Sequence, residues 1–217
     1  MSKQEVSFFW FRRDLRLEDN VGLFHALQSK YSVIPLFIFD DSILDSLPKN
    51  DARVGFIYES LSRINTQLQK IGSSLLVKKG KTIAVWESLL EEFDVKEVFF
   101  NKDYEPYAVK RDTTICELLE TNNSVPFPFK DQVIFEEKEI TKADGLPYTV
   151  YTPFKNKWLE KYKSIAPVPE YDATDMFSNF HKYSFTFPTL QQIGFEESPI
   201  KVKPHNLKFI ANYQEIR

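Results

Sequence analysis

Two stretches of this chain, Val6-Ser-Phe-Phe-Trp-Phe11 and Val33-Ile-Pro-Leu-Phe-Ile-Phe39, are apolar on both faces of an extended backbone. A strand with one wet face alternates in polarity. A strand that is apolar throughout must be covered on both sides, and the middle of a helix-flanked parallel sheet does that. The segments around these strands agree. Between them, Asn20 can cap a helix bearing Val21, Leu23, Phe24 and Leu27. After them, Val54, Ile57, Leu61, Ile64, Leu68 and Ile71 follow spacings of three, four, three, four and three, one apolar stripe on a helix. Gly72 sits where that helix should be capped. Leu75–Val77 reads as a third strand. Thr82 can cap a helix carrying Trp86, Leu89, Leu90 and Phe93, and Val98–Phe100 reads as a fourth strand. Pro106 suits the first turn of a helix running to about Glu120. Val125-Pro-Phe-Pro-Phe129 is extended, but its prolines cannot donate ladder bonds, which places it at a sheet edge.

Five strands alternating with helices predict an α/β fold: a Rossmann-like, doubly wound five-stranded parallel sheet of order 3-2-1-4-5. Such sheets bind ligands beyond the carboxyl ends of the strands, where the winding reverses, here between strands one and four. Residues 1–165 are expected to form this domain. From about residue 166 to 217 the pattern changes to a Pro-containing connector, with Pro167, Pro169, Pro188, Pro199 and Pro204. Leu207, Ile210 and Tyr213 then suggest an opening helix, so the chain is expected to be part of a longer protein.

Composition narrows the function. Hydrophobic residues make up 42%, enough for a core, and no apolar run approaches the roughly 20 residues of a membrane helix. Met1–Glu5 is polar, and Val6–Phe11 is too short for a signal peptide. One cysteine, Cys116, excludes an internal disulfide, so a cytoplasmic protein is expected. With 28 basic and 31 acidic residues the chain does not grip nucleic acid by bulk charge. The three histidines and the cysteine are too scattered for a zinc cluster. Of the six glycines no two lie within five residues, which excludes a GxGxxG dinucleotide fingerprint and a GxxxxGK phosphate loop.

The chemistry-bearing residues gather at strand ends. Strand one runs into Arg12, Arg13, Asp14, Arg16, Glu18 and Asp19. Strand two ends in Asp40-Asp41, and strand four in Asn101-Lys-Asp-Tyr-Glu-Pro-Tyr107. Charges of both signs beside two tyrosines suit either a solvated rim of ion pairs or a polar pocket for a ring-shaped ligand. No nucleophile–base pair, metal spacing or justified carboxylate pair is visible.

Phe9-Trp-Phe-Arg-Arg-Asp-Leu-Arg-Leu-Glu-Asp-Asn20 closely resembles the opening motif of DNA photolyases and cryptochromes. The resemblance continues through Pro35–Asp40, Asp51–Phe56, Asn101–Tyr107 and Lys142–Lys155, from residue 6 to about 165. The chain looks like the N-terminal α/β domain of a class I, cyclobutane-dimer-type photolyase. The resemblance implies light-driven splitting of pyrimidine dimers in damaged DNA. Reduced FAD in a further, helical domain would donate an electron, and an antenna chromophore in the α/β domain would pass energy to it. It also implies a protein that is a monomer and does not enter membranes. A cryptochrome, a photosensor of the same fold, is the alternative.

Folate-binding members carry an Asn-Glu pair after strand four. Tyr107-Ala108 stands there instead, which favours a flavin or deazaflavin antenna. The resemblance places that chromophore among Arg12, Arg13, Asp14, Phe39, Asp40, Arg53, Asp103, Glu105 and Tyr107. Phe39 and Tyr107 would form an apolar slot, Asp40 and Asp103 would be acceptors, and Arg13 or Arg53 would pair with a phosphate or carbonyl. Tyr213 matches a tyrosine at the FAD edge in the family.

Overall fold

The computed structural model describes residues 3–200. Five strands form one parallel sheet: β1 (Glu5–Phe11), β2 (Val33–Asp40), β3 (Leu76–Gly80), β4 (Asp94–Asn101) and β5 (Val125–Phe129), in the order 3-2-1-4-5. All four pairings are parallel, with Phe8 opposite Ile34 on one side and opposite Val98 on the other. The expected topology is therefore present. The third and fourth strands run further than their apolar cores, through Lys78 and Lys79 and back to Asp94, because ladder bonds extend past the buried residues.

The two apolar faces of β1 and β2 have separate destinations. Phe9, Phe11, Val33, Phe37 and Phe39 face α1 (Val21–Ala26) and α3 (Ala52–Gln69). Phe8, Trp10, Ile34, Leu36 and Ile38 face α4 (Thr82–Glu92) and α5 (Pro106–Thr121). Each fully buried Phe or Leu contributes about 1.5–3 kcal/mol of transfer free energy. On the second face Phe8 and Trp10 each meet Trp86 edge-on, at 5.5 and 5.7 Å.

The ends of α3 and α5 close in the same way. Gly72, at φ +76°, allows Ser73 N–H to reach Leu68 C=O and Gly72 N–H to reach Gln69 C=O. Asn123, at φ 59°, does this after α5, where Ser124 N–H reaches Leu119 C=O. These are the paired bonds of a Schellman termination. Thr82 differs from expectation. Lys81 occupies the capping position of α4, and Thr82 is the first helical residue, its hydroxyl donating instead to Asp40.

Two helices were not legible as such: the short α2 (Asp41–Leu44), capped by Asp40, and α6 (Tyr151–Ile165), which buries no residue. The proline-rich segment after Ile165 does more than connect. Ala173, Phe180, Leu190, Ile193 and Phe195 enter the α1/α3 core, and His181 N–H donates to Val33 C=O at 2.8 Å. Val33 opens β2, so this part of the strap crosses the amino-terminal end of the sheet, while Tyr171 N–H and Glu196 N–H reach Asp19 and the Lys49 carbonyl in the loops after β1 and β2. Among the described residues no helix is long and apolar enough to cross a membrane.

Candidate functional site: the carboxyl ends of β1 and β4

Where β1 and β4 end side by side, a closed polar network fixes the loops. Asn101, the last residue of β4, donates through Nδ2 to Asp14 at 2.6 Å and to Asn20 Oδ1 at 2.8 Å, and accepts Gly22 N–H at 2.9 Å. Asn20 caps α1 by accepting Leu23 N–H and donates to Asp14 and to the Arg16 carbonyl. Asp14 also accepts Arg12 N–H at 2.9 Å. Asn20 and Asn101 are buried, so each satisfied group avoids a desolvation cost of about 1–3 kcal/mol. A Cβ on Gly22 would lie 2.7 Å from Asn101 Oδ1. Only glycine lets α1 begin this close to β4.

A charged rim surrounds the network. Arg13 pairs with Asp103 at 3.0 Å and Glu105 at 2.7 Å. The hydrogen bond to Glu105 is the main cause holding its guanidinium above the usual arginine range. Arg16 grips Asp131 through both carboxylate oxygens at 2.8 Å, and Asp131 also accepts Val21 N–H. Lys102 reaches Glu136 at 2.9 Å. Tyr104 donates to the same carboxylate. Burial first, and that carboxylate second, push its phenol above the usual range.

Arg12 lies inward of this rim. Its side chain is 7% exposed, and its Nη1 is paired closely with Asp112 of α5. The guanidinium packs over Trp10 and Phe100, 5.2 and 4.9 Å from their ring centres. Its Nη2 is buried and has no acceptor among the described residues.

A cleft of about 260 Å³ opens here. It is lined by Arg12, Arg13, Asp14 and Arg16 after β1, by Asn101, Lys102 and Asp103 at the end of β4, and by Asp131 and Gln132 after β5. Four of the nine residues named from sequence line it: Arg12, Arg13, Asp14 and Asp103. Glu105 stands at its rim through Arg13. Phe39, Asp40, Arg53 and Tyr107 do not line it. Phe39 is 3% exposed and packs edge-on against Phe37 in the core. Asp40 accepts from Tyr107 Oη at 2.5 Å, Thr82 Oγ1 at 2.8 Å and Ser42 N–H at 3.0 Å. Burial and that bond raise the Tyr107 phenol above its usual range. Phe39 thus faces the core, and Tyr107, expected to form an apolar slot with it, is hydrogen-bonded to Asp40. Arg53 extends into solvent and folds back on Asp51 at 2.7 Å, which caps α3. Tyr213 lies outside the described residues.

Sequence reasoning passed over Asn101 and Asp131 as site residues. Asn101 carried a signal, a polar side chain closing an apolar strand at the switch point. Asp131 carried none, since only the fold brings the loop after β5 back to Arg16. Catalytic alternatives are weak in geometry. Among the described residues no group of His, Cys, Asp and Glu can hold a metal ion. Ser32 and His181 do touch, at 3.2 Å, but under the strap at the opposite end of the sheet. Burial pushes the Cys116 thiol up to about 11, away from nucleophilic use.

The family model described as DNA photolyase matches residues 7–172. The chain belongs to the DNA photolyase family. Among its photolyase relatives, the deoxyribodipyrimidine photo-lyase of Synechococcus is 32% identical over 95% of this chain and 44% of its own length. That of Halobacterium salinarum is 31% identical over 88% and 41%. A bacterial class III photolyase from Agrobacterium tumefaciens superposes with a TM-score of 0.67 at 25% identity, over 100% of this chain and 42% of that one. A photolyase from Sulfolobus tokodaii, solved with two FAD molecules, superposes at 0.58 and 31% identity, over 71% and 34%. Cryptochrome-1 of Anopheles gambiae also matches, 29% identical over 68% of this chain. The photolyase-family chain described here thus spans less than half the length of these relatives, and its similarities run across more than one branch of the family.

Proposed function

We propose that this chain is the antenna-binding α/β domain of a deoxyribodipyrimidine photolyase, and that the crevice where β1 and β4 end seats a flavin-type light-harvesting chromophore. The whole protein would then use FAD, held in a helical domain, to split cyclobutane pyrimidine dimers in damaged DNA under blue light. The observation that carries the reading is the strand-end crevice itself. It lies at the switch point of a doubly wound sheet and is fixed by a closed hydrogen-bond network. Relatives named as photolyases support the reaction. The Sulfolobus tokodaii structure, whose description implies a novel light-harvesting cofactor, supports a flavin as the second chromophore.

A bound antenna supplies absorption of blue light and transfer of that energy. The chain's own residues do the positioning. Asp14, Asn20 and Asn101 lock the loops, so the crevice is preformed. Arg13 and Lys102 stand at its edge, each steadied by a carboxylate, so little ordering of them is needed on binding. A folate seat is disfavoured at Tyr107-Ala108: the Tyr107 hydroxyl is engaged by Asp40, and Ala108 is buried and offers no side-chain donor.

Titration with FMN, a deazaflavin and a folate, read by chromophore fluorescence, tests the reading. Saturable flavin or deazaflavin binding supports it. Binding of folate alone, or of none of the three, overturns it. The match to Anopheles gambiae Cryptochrome-1 keeps a photosensor as the second reading. Loss of dimers from irradiated DNA under blue light, catalysed by the full-length protein, distinguishes repair from signalling.

A further inference from the structure

The large apolar side chains that this chain leaves exposed cluster around α6. Leu146, Val150 and Tyr151 are 57%, 61% and 72% exposed, and Phe154, Leu159 and Ile165 continue the series along the helix. Tyr151, Phe154, Trp158, Tyr162 and Ile165 follow spacings of three, four, four and three, one stripe on a single face. The stripe is ordered from within. Trp158 stacks on Tyr162 at 5.2 Å and meets Phe135 edge-on at 5.4 Å, and Phe154 meets Tyr148 at 6.3 Å. Yet none of the 15 residues of α6 is buried. A helix of this length is marginal on its own in water and draws its stability from packing of its apolar face. Exposed apolar patches of this kind mark a face that another surface covers.

Length and charge say what covers it. This chain accounts for 44% of the Synechococcus photo-lyase and 42% of the Agrobacterium tumefaciens photolyase chain, so more than half of each is polypeptide without a counterpart here. The borders of the stripe are basic. Lys157 is paired with Glu160 and Lys161 with Glu139, whereas Lys155 and Lys163 have no carboxylate partner among the described residues. Leu159 widens the stripe toward these two lysines. A straight apolar seam with free cations along one edge fits a second helix whose own apolar stripe is edged by carboxylates.

We propose that α6 is a docking face for the remainder of the full-length protein, and that its occupant there is a helix with an apolar stripe bordered by Asp or Glu. That such a remainder exists rests on the photolyase reading, in which α6 would hold the FAD-bearing domain against this one and fix the spacing of the two chromophores. Amide hydrogen exchange tests the proposal by comparing the 217-residue chain with the full-length protein. Residues 151–165 should exchange at least about tenfold more slowly in the full-length protein. Phe154→Asp combined with Ile165→Asp puts two charges on the stripe. In the 217-residue chain, where neither residue is buried, this change should move a urea midpoint by less than about 0.5 M. In the full-length protein it should bring α6 exchange to within about threefold of the rate in the 217-residue chain, whereas Asn156→Asp, on the opposite face, should leave α6 protected. Should the double variant fail to fold by circular dichroism, Leu159→Gln takes its place, with the same loss of protection expected. Equal exchange in the two proteins, or protection that survives the stripe substitutions, overturns the proposal. So does a 217-residue chain that sediments as a dimer and becomes a monomer on Phe154→Asp, which assigns the face to a second copy. Slower α6 exchange when duplex DNA is added to the 217-residue chain also overturns it, by assigning the face to DNA. The exchange readout needs no chromophore, so a full-length protein that protects α6 but repairs no dimers loses the photolyase reading and keeps the docking face.

Discussion

Gly22→Ala is the sharpest test of how the crevice is held. The added Cβ would lie 2.7 Å from Asn101 Oδ1 and 3.0 Å from Phe9 Cε2, whereas ordinary contact begins at 3.4 Å. Asn101 would have to retreat by the 0.7 Å difference. It cannot do so freely, because its amide also holds Asp14 at 2.6 Å and Asn20 at 2.8 Å. Overpacking of this kind costs about 1–3 kcal/mol, and weakening the buried Gly22 N–H bond to Asn101 adds about 1–3 kcal/mol. Alanine returns up to about 1 kcal/mol of helix propensity. The net expectation is a loss of about 2–4 kcal/mol, which moves a urea midpoint by about 1 M or more. Gly55→Ala is the matched control: nothing lies within 4 Å of a Cβ there, in α3, so the same change should gain about 0.5–1 kcal/mol. Urea unfolding followed by circular dichroism measures both. A Gly22→Ala protein as stable as the parent, beside a stabilised Gly55→Ala protein, would refute the close approach of α1 to β4.

Phe37→Ala should cost roughly 3–5 kcal/mol in the same assay, since the ring is 7% exposed and meets Phe39 at 4.9 Å; a loss under about 1 kcal/mol would contradict its place in the sheet's core. Cys116, its thiol pushed up to about 11 chiefly by burial, should react with a thiol reagent near pH 8 about a hundredfold more slowly than free cysteine, and a rate like that of the free thiol would contradict its setting. His181 is held below the usual imidazole range by burial. Its neutral form is favoured in the fold, so the stability it contributes is complete above the unfolded value of about 6.5 and is lost as pH falls through the lower folded value. Stability measured from about pH 8 down to about pH 5 should therefore decline more steeply for the parent than for His181→Gln, and identical slopes would contradict this.

The sheet was legible because β1 and β2 are apolar on both faces, a pattern that only a doubly covered strand satisfies, and because the Val54–Ile71 stripe fixes its own helix. The strand order followed from Pro126 and Pro128, which cannot serve a central ladder. The strap was less legible. Phe180 and Phe195 are core residues, but they stand singly among prolines and polar residues, with no period to reveal them. The site was half legible for a similar reason. Arg12, Arg13, Asp14 and Asp103 follow their strands directly, so topology alone brings them together. Phe39 faces inward because strand parity puts it beside Phe37. Asp40 and Tyr107 find each other across two strand ends, a contact that depends on where α5 starts. Arg53 turns outward to Asp51 because a helix N-terminus offers a local partner two residues away.

The central claim, that the carboxyl ends of β1 and β4 seat the chromophore, is tested most directly by mapping amide shifts in a ¹⁵N-labelled protein during titration with FMN. The account predicts that the perturbed amides centre on Arg12, Arg13, Asp14, Asn101, Lys102 and Asp103. Perturbation centred instead on the cleft between α3 and the strap, at Ala52, Phe56 and Leu190, or on the α5 groove beside Cys116, would contradict it.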